Sequence, residues 1–499
     1  MSRSTQHIER FNTTAIYVLT DLCFKRKKMK TIDKIYINGE FVTPHGTERF
    51  SLINPTNNTL TGHVILGDEE DTRKAIAAAK EVFKTFSKTT KEQRITYLQQ
   101  MYEAVLKRKD DLTNIMVEEY GGPLQFSAAS SGNALNGILS AIETLKHFDF
   151  IRKVGSSKVI LDSLGVVGII TPWNASNGFI CTKLATAIAA GCTAVIKPSE
   201  MSAMQTQLIT ECLHEAGLPR GVFNIVNGRG EVVGAEITRH PDIAKISFTG
   251  STLVGKTIAR GAVDTMKRVT LELGGKSPNI ILNDADFNVA IPQAVTAGYM
   301  NSGQACIAAT RLLVPEEKLD EVKKLIVATI EKIQVGDPHN AATNIGPMVN
   351  KKQYDRVQQY IRLGIEEGAE LLIGGEGQPA GLEAGNFVKP TVFANVTNNM
   401  RIAREEIFGP VISIITYKTE AEAIEIANDT VYGLAAYISS SNTERANRVA
   451  AQISAGRVVI NELSHDPLAP FGGFKQSGIG REFGEYGLEE YLEPKAILG

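Results

Sequence analysis

The first place in this chain to look for chemistry is a cysteine set among small and amide-bearing residues. Tyr299 to Arg311 reads YMNSGQACIAATR, with Cys306 in its middle. A thiolate is a strong nucleophile, yet at a usual pKa of about 8.5 only a few per cent of a thiol is ionised at neutral pH. It needs neighbours that favour the charge. Asn301, Ser302, Gly303 and Gln304 lead into it without bulk, and CIAAT has the pattern of a helix start that would aim backbone N–H groups at the sulfur. Buried cysteines serve more often as small hydrophobes, so this window alone leaves both readings open.

Three other stretches carry residues that could work with the thiol. TPWN places Asn174 just past a strand end, LELGGKSPN places Glu272 after the strand RVTL, and VIKPSE places Lys197 and Glu200 after TAVIK. An isolated Asn or Glu in a loop is usually solvated. Several of them at strand ends, together with Cys306, make a constellation. GGKS at Gly274 to Ser277 is not a P-loop, because the earlier glycine position is Thr270.

These ends belong to a regular alternation. Gly165 to Thr171, GVVGIIT, is a nearly unbroken apolar run, as expected of a strand buried on both faces of a parallel sheet. Helix follows at Ala185–Ala190, then strand TAVIK, helix Met201–Ala216, strand VFNIV, helix Val232–Arg239, strand KISFT and helix Leu253–Gly261. Such spacing predicts right-handed crossovers and an α/β fold with a doubly wound parallel sheet, which binds ligands beyond the carboxyl ends of its strands. Two glycine stretches qualify as phosphate seats. GRGEVVG, Gly228 to Gly234, has one residue too many between its last two glycines for the usual dinucleotide fingerprint. GSTLVG, Gly250 to Gly255, directly follows KISFT and opens a helix, where Ser251 and Thr252 add hydroxyls to free N–H groups. A glycine turn capped by Ser251 would look the same.

Upstream, KIYINGEFV predicts two short strands around an Asn38-Gly39 turn, and Thr72–Ser87, Lys91–Lys107 and Leu112–Gly121 have helical apolar spacing. FIRKVGSSKVILD, Phe150 to Asp162, is a hairpin without a core of its own, which implies a partner edge. The first 29 residues run IYVLTDLCF into a basic cluster. The apolar part is short, the charge follows it and no small-residue cleavage site comes after, so the reading is an N-terminal extension with Met29 an alternative start.

With 499 residues, 43% hydrophobic and 22% charged, the chain has room for two or three domains. A net charge of -2 gives no electrostatic case for nucleic acid or an anionic membrane as main partner. Five scattered cysteines, Cys23, Cys181, Cys192, Cys212 and Cys306, fit free thiols in a cytoplasmic protein, and no CxxC or HExxH pattern predicts a metal site.

TPWN, KPSE, FTGST, LELGGKSP, NSGQAC, EEIFGPV and PFGGFKQSGIGRE occur here in the order and approximate spacing of the NAD(P)-dependent aldehyde dehydrogenase superfamily, and the chain resembles its non-phosphorylating, hydrolytic branch from about Lys34 onward. The resemblance implies Cys306 as nucleophile, Glu272 as general base, Asn174 as oxyanion donor and Lys183 near the oxyanion. It implies NAD, with NADP less favoured, held by Thr171, Trp173, Lys197, Ser199, Glu200, Gly230, Gly250, Ser251, Gly255, Glu406 and Phe408. It also implies a dinucleotide-binding domain over 30–149 and 166–275 and a catalytic domain over 276–465. An oligomerisation arm with the C-terminal segment would span 150–165 and 466–499, where the tail YGLEEYLEPKAILG pairs with the hairpin in a homodimer or homotetramer. The sequence departs from the family pattern at Ala175-Ser176-Asn177, where relatives carry an aromatic residue and proline, and at Ser464-His465-Asp466 in the expected substrate loop. An aliphatic aldehyde is the expected substrate, and His465 is read as a surface or pocket-wall residue rather than a catalytic one. Rival readings are a CoA-acylating dehydrogenase, a cysteine-dependent hydrolase, for which none of the eight histidines has a motif context, and a non-catalytic binding protein on the same fold.

Overall fold

The apolar run Val166–Ile170 lies inside an eight-stranded sheet, and all five of its residues are buried. The computed structural model describes residues 29–499, so the expected extension lies outside the described residues apart from Met29. Across the sheet the strands are Gly478–Ile479, Arg268–Glu272, Ile243–Thr249, Val166–Ile170, Thr193–Lys197, Phe223–Ile225, Ile35–Ile37 and Glu40–Val42. The middle five are mutually parallel. Numbered in chain order they stand 5-4-1-2-3, a doubly wound arrangement whose switch point falls between Val166–Ile170 and Ile243–Thr249. Crossover helices Ser176–Ala190, Ala203–Glu215 and Thr252–Val263 cover it.

A second sheet of seven strands runs Glu370–Ile373, Thr391–Ala394, Val411–Tyr417, Arg311–Pro315, Pro278–Ile281, Ala435–Ser439 and Arg457–Ile460, parallel except for the first. Arg311, fully buried, anchors this sheet by donating to the carbonyls of Lys276, Ile426 and Ala427. A guanidinium buried this way is tolerable because its donors are satisfied.

Local chemistry explains the boundaries. Asp68 and Thr90 form capping boxes before Glu69–Phe86 and Lys91–Lys107, each worth about 1 kcal/mol. Asn38 and Gly39, with φ of 52° and 82°, make the left-handed two-residue turn that twisted strands favour. The sequence reading passed over the long helix Leu124–His147, because its stretch SAASSGNALNGILSA has little charge to reveal a face. That helix packs against Ser176–Ala190 so closely that a Cβ on Gly137 would strike Thr182. The hairpin is present as Ile151–Val154 and Ser157–Ser163, and Leu492–Ile497 of the same chain adds a third, antiparallel strand. Its outer strand leaves Ile151 and Val154 exposed.

Candidate active site

The carboxyl ends of the first sheet face the amino ends of the second. From the first come Thr171 to Asn174, Lys197 to Glu200, Thr249 to Ser251 and Glu272, all immediately at or after strand ends. Toward the second lead Gly274 to Lys276 before Pro278–Ile281, and Cys306 before Arg311–Pro315. Gly274 and Gly275 are squeezed where the two meet: a Cβ on the first would strike the Glu406 carboxylate, and on the second the Cys306 carbonyl. The Gly275 N–H donates to Glu406 Oε1 at 3.2 Å.

Cys306 does not open a helix, contrary to the sequence reading. Asn301, Ser302 and Gly303 have φ of 53°, 58° and 74°, which ends a short 3-10 turn, and Ala309 and Arg311 donate to Ala297 and Ser277, pulling the chain straight into a strand. The thiol sits in the intervening turn. N–H groups of Cys306 and Ile307 still face the sulfur and favour its charge, but burial, then the carboxylates of Glu406 and Glu272, push the thiol up to about 12. The free site therefore holds a neutral thiol.

Around the thiol, hydrogen bonds fix the loop. Asn174 Nδ2 donates to the Gln304 carbonyl at 2.9 Å, and Asn301 Nδ2 donates to the same carbonyl at 3.0 Å. Tyr120 donates to Asn301 Oδ1 at 3.0 Å and accepts from Gln304 Nε2 at 3.1 Å, while the Val349 N–H donates to Gln304 Oε1 at 3.0 Å. Asn174 thus touches the nucleophile loop two residues before Cys306. An amide has two N–H donors, and the second is free of this contact.

Glu272 is the reverse case. It is 3% exposed at the end of its strand, and neither carboxylate oxygen has a hydrogen-bond partner. Burial, then the neighbouring Glu482 carboxylate, raises its pKa well above the usual range, against the pull of Lys183 and Arg481. A Cβ on Gly472 would lie 2.8 Å from Glu272 Oε1, so a glycine is what leaves the carboxylate its space. Lys183 is fully buried in an ion pair with Glu482 and donates to Ser247 at 3.1 Å, which places it behind Glu272. Phe471 and Glu482 exchange backbone hydrogen bonds of 2.8 and 2.7 Å, holding that pair in place. Glu482 ends the quoted stretch PFGGFKQSGIGRE, but nothing in that stretch announces a lysine partner 299 residues away.

At the switch point the strand ends carry unpartnered groups. Thr171 Oγ1 and Thr249 Oγ1 are buried there without partners. Gly250 lies at the entrance of the twelve-residue helix Thr252–Val263, which Ser251 caps through the Val254 N–H. Gly255 packs on Leu273, where a Cβ would clash. Lys197 donates to the Gly228 carbonyl at 2.9 Å and stands 3.7 Å from Glu200, which also meets Arg229 at 3.5 Å. Ser199 accepts from the Met201 N–H, and Gly230 opens a short π-helical turn over Gly230–Gly234. At the other end Trp173 lies between Tyr120 and Phe408, tilted to the first and edge-on to the second, with both ring centroids at 5.6 Å. Burial raises Glu406 to about 7. Nearby Lys276, also lowered to about 7 by burial, has an unpartnered amine. The unpartnered threonines, the helix entrance and the Lys197–Glu200 pair suit the hydroxyl and phosphate groups of a dinucleotide.

His465 packs edge-on against Phe483, with centroids 5.0 Å apart. Among the described residues no cluster of three or more His, Cys, Asp or Glu could hold a metal, and no helix is long and apolar enough to cross a membrane.

A model of the aldehyde dehydrogenase family matches residues 41–497. The chain is 46% identical to a 3-succinoylsemialdehyde-pyridine dehydrogenase from a Pseudomonas species over 473 residues, covering 94% of this chain and 99% of that one. Among solved structures it is similar to a cysteine-to-alanine variant of an aldehyde dehydrogenase from Pseudomonas syringae in complex with NAD+ and octanal. The TM-score is 0.92 at 45% identity, covering 93% and 96% of the two chains. A betaine aldehyde dehydrogenase from Staphylococcus aureus in complex with NAD+ gives a TM-score of 0.90 at 36% identity, covering 93% and 94%.

Proposed function

The chain belongs to the aldehyde dehydrogenase family, and from that premise we propose that it oxidises an aldehyde to the carboxylic acid with NAD, through a thiohemiacetal and a thioester on Cys306. The observation that carries the hydrolytic reading is Glu272: a buried carboxylate with no partner and a raised pKa, within electrostatic reach of the Cys306 thiol. A structural carboxylate would be paired. A CoA-acylating enzyme has no use for such a base, and a hydrolase would need no dinucleotide groove.

Glu272 can take the thiol proton, so Cys306 Sγ adds to the aldehyde carbon as thiolate. The oxyanion that forms accepts hydrogen bonds from the free N–H of Asn174 and from the Cys306 backbone. NAD, when bound, supplies the acceptor for the aldehyde hydrogen as hydride. Glu272 gives up the thiol proton, then takes one from water attacking the thioester; the carbon–sulfur bond breaks with Cys306 as the leaving thiolate, and the proton on Glu272 returns to the sulfur. Lys197 and Glu200 suit the adenosine ribose, Gly250 and Ser251 the pyrophosphate, and Glu406 with Phe408 the nicotinamide end. Glu200 would repel a 2′-phosphate, which favours NAD over NADP. The residues flanking Cys306, Ala305 and Ile307, are small and aliphatic, which suits an aliphatic aldehyde.

The same reading divides the chain into a cofactor domain over 30–149 and 166–275, a catalytic domain over 276–465, and an arm with the C-terminal segment. The exposed edge Ile151–Val154 suits a second copy in a cytoplasmic homodimer or homotetramer.

Glu272→Gln tests the mechanism, because it keeps the shape and removes the base. NADH should build up to one equivalent per site more slowly than in the parent's first turnover, because the group that takes the thiol proton is gone, followed by a steady rate lower by about 10² or more, with acyl-enzyme on Cys306 in the mass spectrum. Turnover at the parent rate would remove Glu272 from its role.

A further inference from the structure

Side chains alternate between the two faces of a strand, so Lys245, Ser247 and Thr249 share one face of Ile243–Thr249. The parallel register pairs Ser247 with Thr270 and Thr249 with Glu272, which brings the polar residues of both strands side by side. All five are buried, whereas the opposite face offers Ile246, Phe248 and Leu271 to an apolar core. A polar column inside a sheet costs stability unless every member is bonded. Its inner end, at Thr249 and Glu272, has unpartnered oxygens. From the middle outward it is bonded: Lys183 donates to Ser247, Lys245 donates to Thr270 Oγ1 at 2.5 Å, and Thr270 donates to Glu490 Oε2 at 3.3 Å. Lys245 also lies 3.6 Å from Glu490 and 5.0 Å from the Tyr491 ring centre. Glu490 faces outward, into a cavity of about 300 Å³ lined with Arg268, Arg481, Tyr486, Glu489 and Leu492.

We propose that Lys245, Thr270 and Glu490 are the exit by which protons collected at Glu272 reach solvent. The proposal rests on the reading of Glu272 as base. Aldehyde, NAD+ and water become carboxylate, NADH and two protons, so a sealed base must discharge in every turnover. No bond to carbon is made or broken along the column; only protons move, from Glu272 past the Lys183–Glu482 pair to the lysine, and from Glu490 to water. The groups that set the charge on Lys245 are Glu490 and Glu482, which favour it, and Lys183, which opposes it, beside the Cys192 thiol. Burial lowers the amine to about 8, so it can both take and give a proton near neutrality. Lys245, Thr270 and Glu490 are positioning residues, since none touches the reacting atoms.

Glu490→Gln keeps the shape and removes the charge at the exposed end of the column; Lys245→Met is the second variant. Turnover across pH is measured at low concentration of a small buffer and again with imidazole added. The proposal expects Glu490→Gln to lower kcat about tenfold at low buffer, to displace its pH profile, and to recover with imidazole, while the thermal midpoint stays near that of the parent. An unchanged kcat and profile in both variants would overturn it, as would a loss that imidazole does not relieve, which marks a purely structural ion pair. Glu272→Gln measured alongside separates the two readings. If it stalls while Glu490→Gln runs normally, only the exit fails; if it turns over like the parent, the base itself is wrong.

Discussion

The two sheets meet the site with opposite ends and in opposite states. The seven-stranded sheet reaches it by the amino ends of its strands, through a loop in which Asn301 and Gln304 are bound to Tyr120, Val349 and one another. The eight-stranded sheet reaches it by its carboxyl ends and presents Glu272 and two threonine hydroxyls with no partner at all. Under the proposed mechanism the difference is a division of labour. A nucleophile must stay at one place relative to the carbonyl, whereas a base must exchange partners, and a strong hydrogen bond would pin it.

Cys306→Ala breaks the comparison most severely. Dehydrogenase turnover should vanish, because no covalent intermediate forms, while NAD binding measured by fluorescence titration persists in a groove built from other strand ends. Substantial residual oxidation would refute the nucleophile. Asn174→Ala removes the link between the two sides, and kcat should drop by about 10² to 10³, with less than a threefold change placing Asn174 outside the oxyanion site. Because burial and two carboxylates hold the thiol at about 12, alkylation by iodoacetamide without cofactor should quicken about tenfold per pH unit and still be rising at about pH 9. A plateau near neutrality would mean that the loop already holds a thiolate. Tyr120→Phe sharpens the comparison with the smallest effect. It leaves Asn301 Oδ1 and Gln304 Nε2 short of a partner, for a loss of about 1–3 kcal/mol in thermal unfolding and a few-fold loss in kcat.

Periodicity made the first sheet legible. Val166–Ile170 appeared as an apolar run and the strands after it by their alternation with helices, and Thr193–Lys197 and Lys91–Lys107 fall where the spacing put them. The helix Leu124–His147 was not legible, because small residues packed on both sides leave no polar face to read. At the site, Cys306 and Glu272 could be picked out by their motifs. The helix expected at CIAAT could not have been ruled out locally, since what prevents it is the tether of Ala309 and Arg311 to distant backbone. Lys245 and Glu490 were invisible for a similar reason: a buried lysine in KISFT reads as a solvated one until the register with Thr270 is known.

The strand Gly478–Ile479 and the bridge from Phe471 to Glu482 close the first sheet against Glu272. The ribosome therefore delivers Cys306 and Glu272 long before it delivers the Glu482 carboxylate and the sheet edge that enclose Glu272. During synthesis Glu272 is an edge residue open to water, with Lys183 still waiting for its counter-ion. The emerging chain can assemble the strand ends from Thr171 to Ser251 early, yet Glu272, the proposed base, is enclosed only once the last segment has docked. Aldehyde chemistry is thereby postponed to the end of folding.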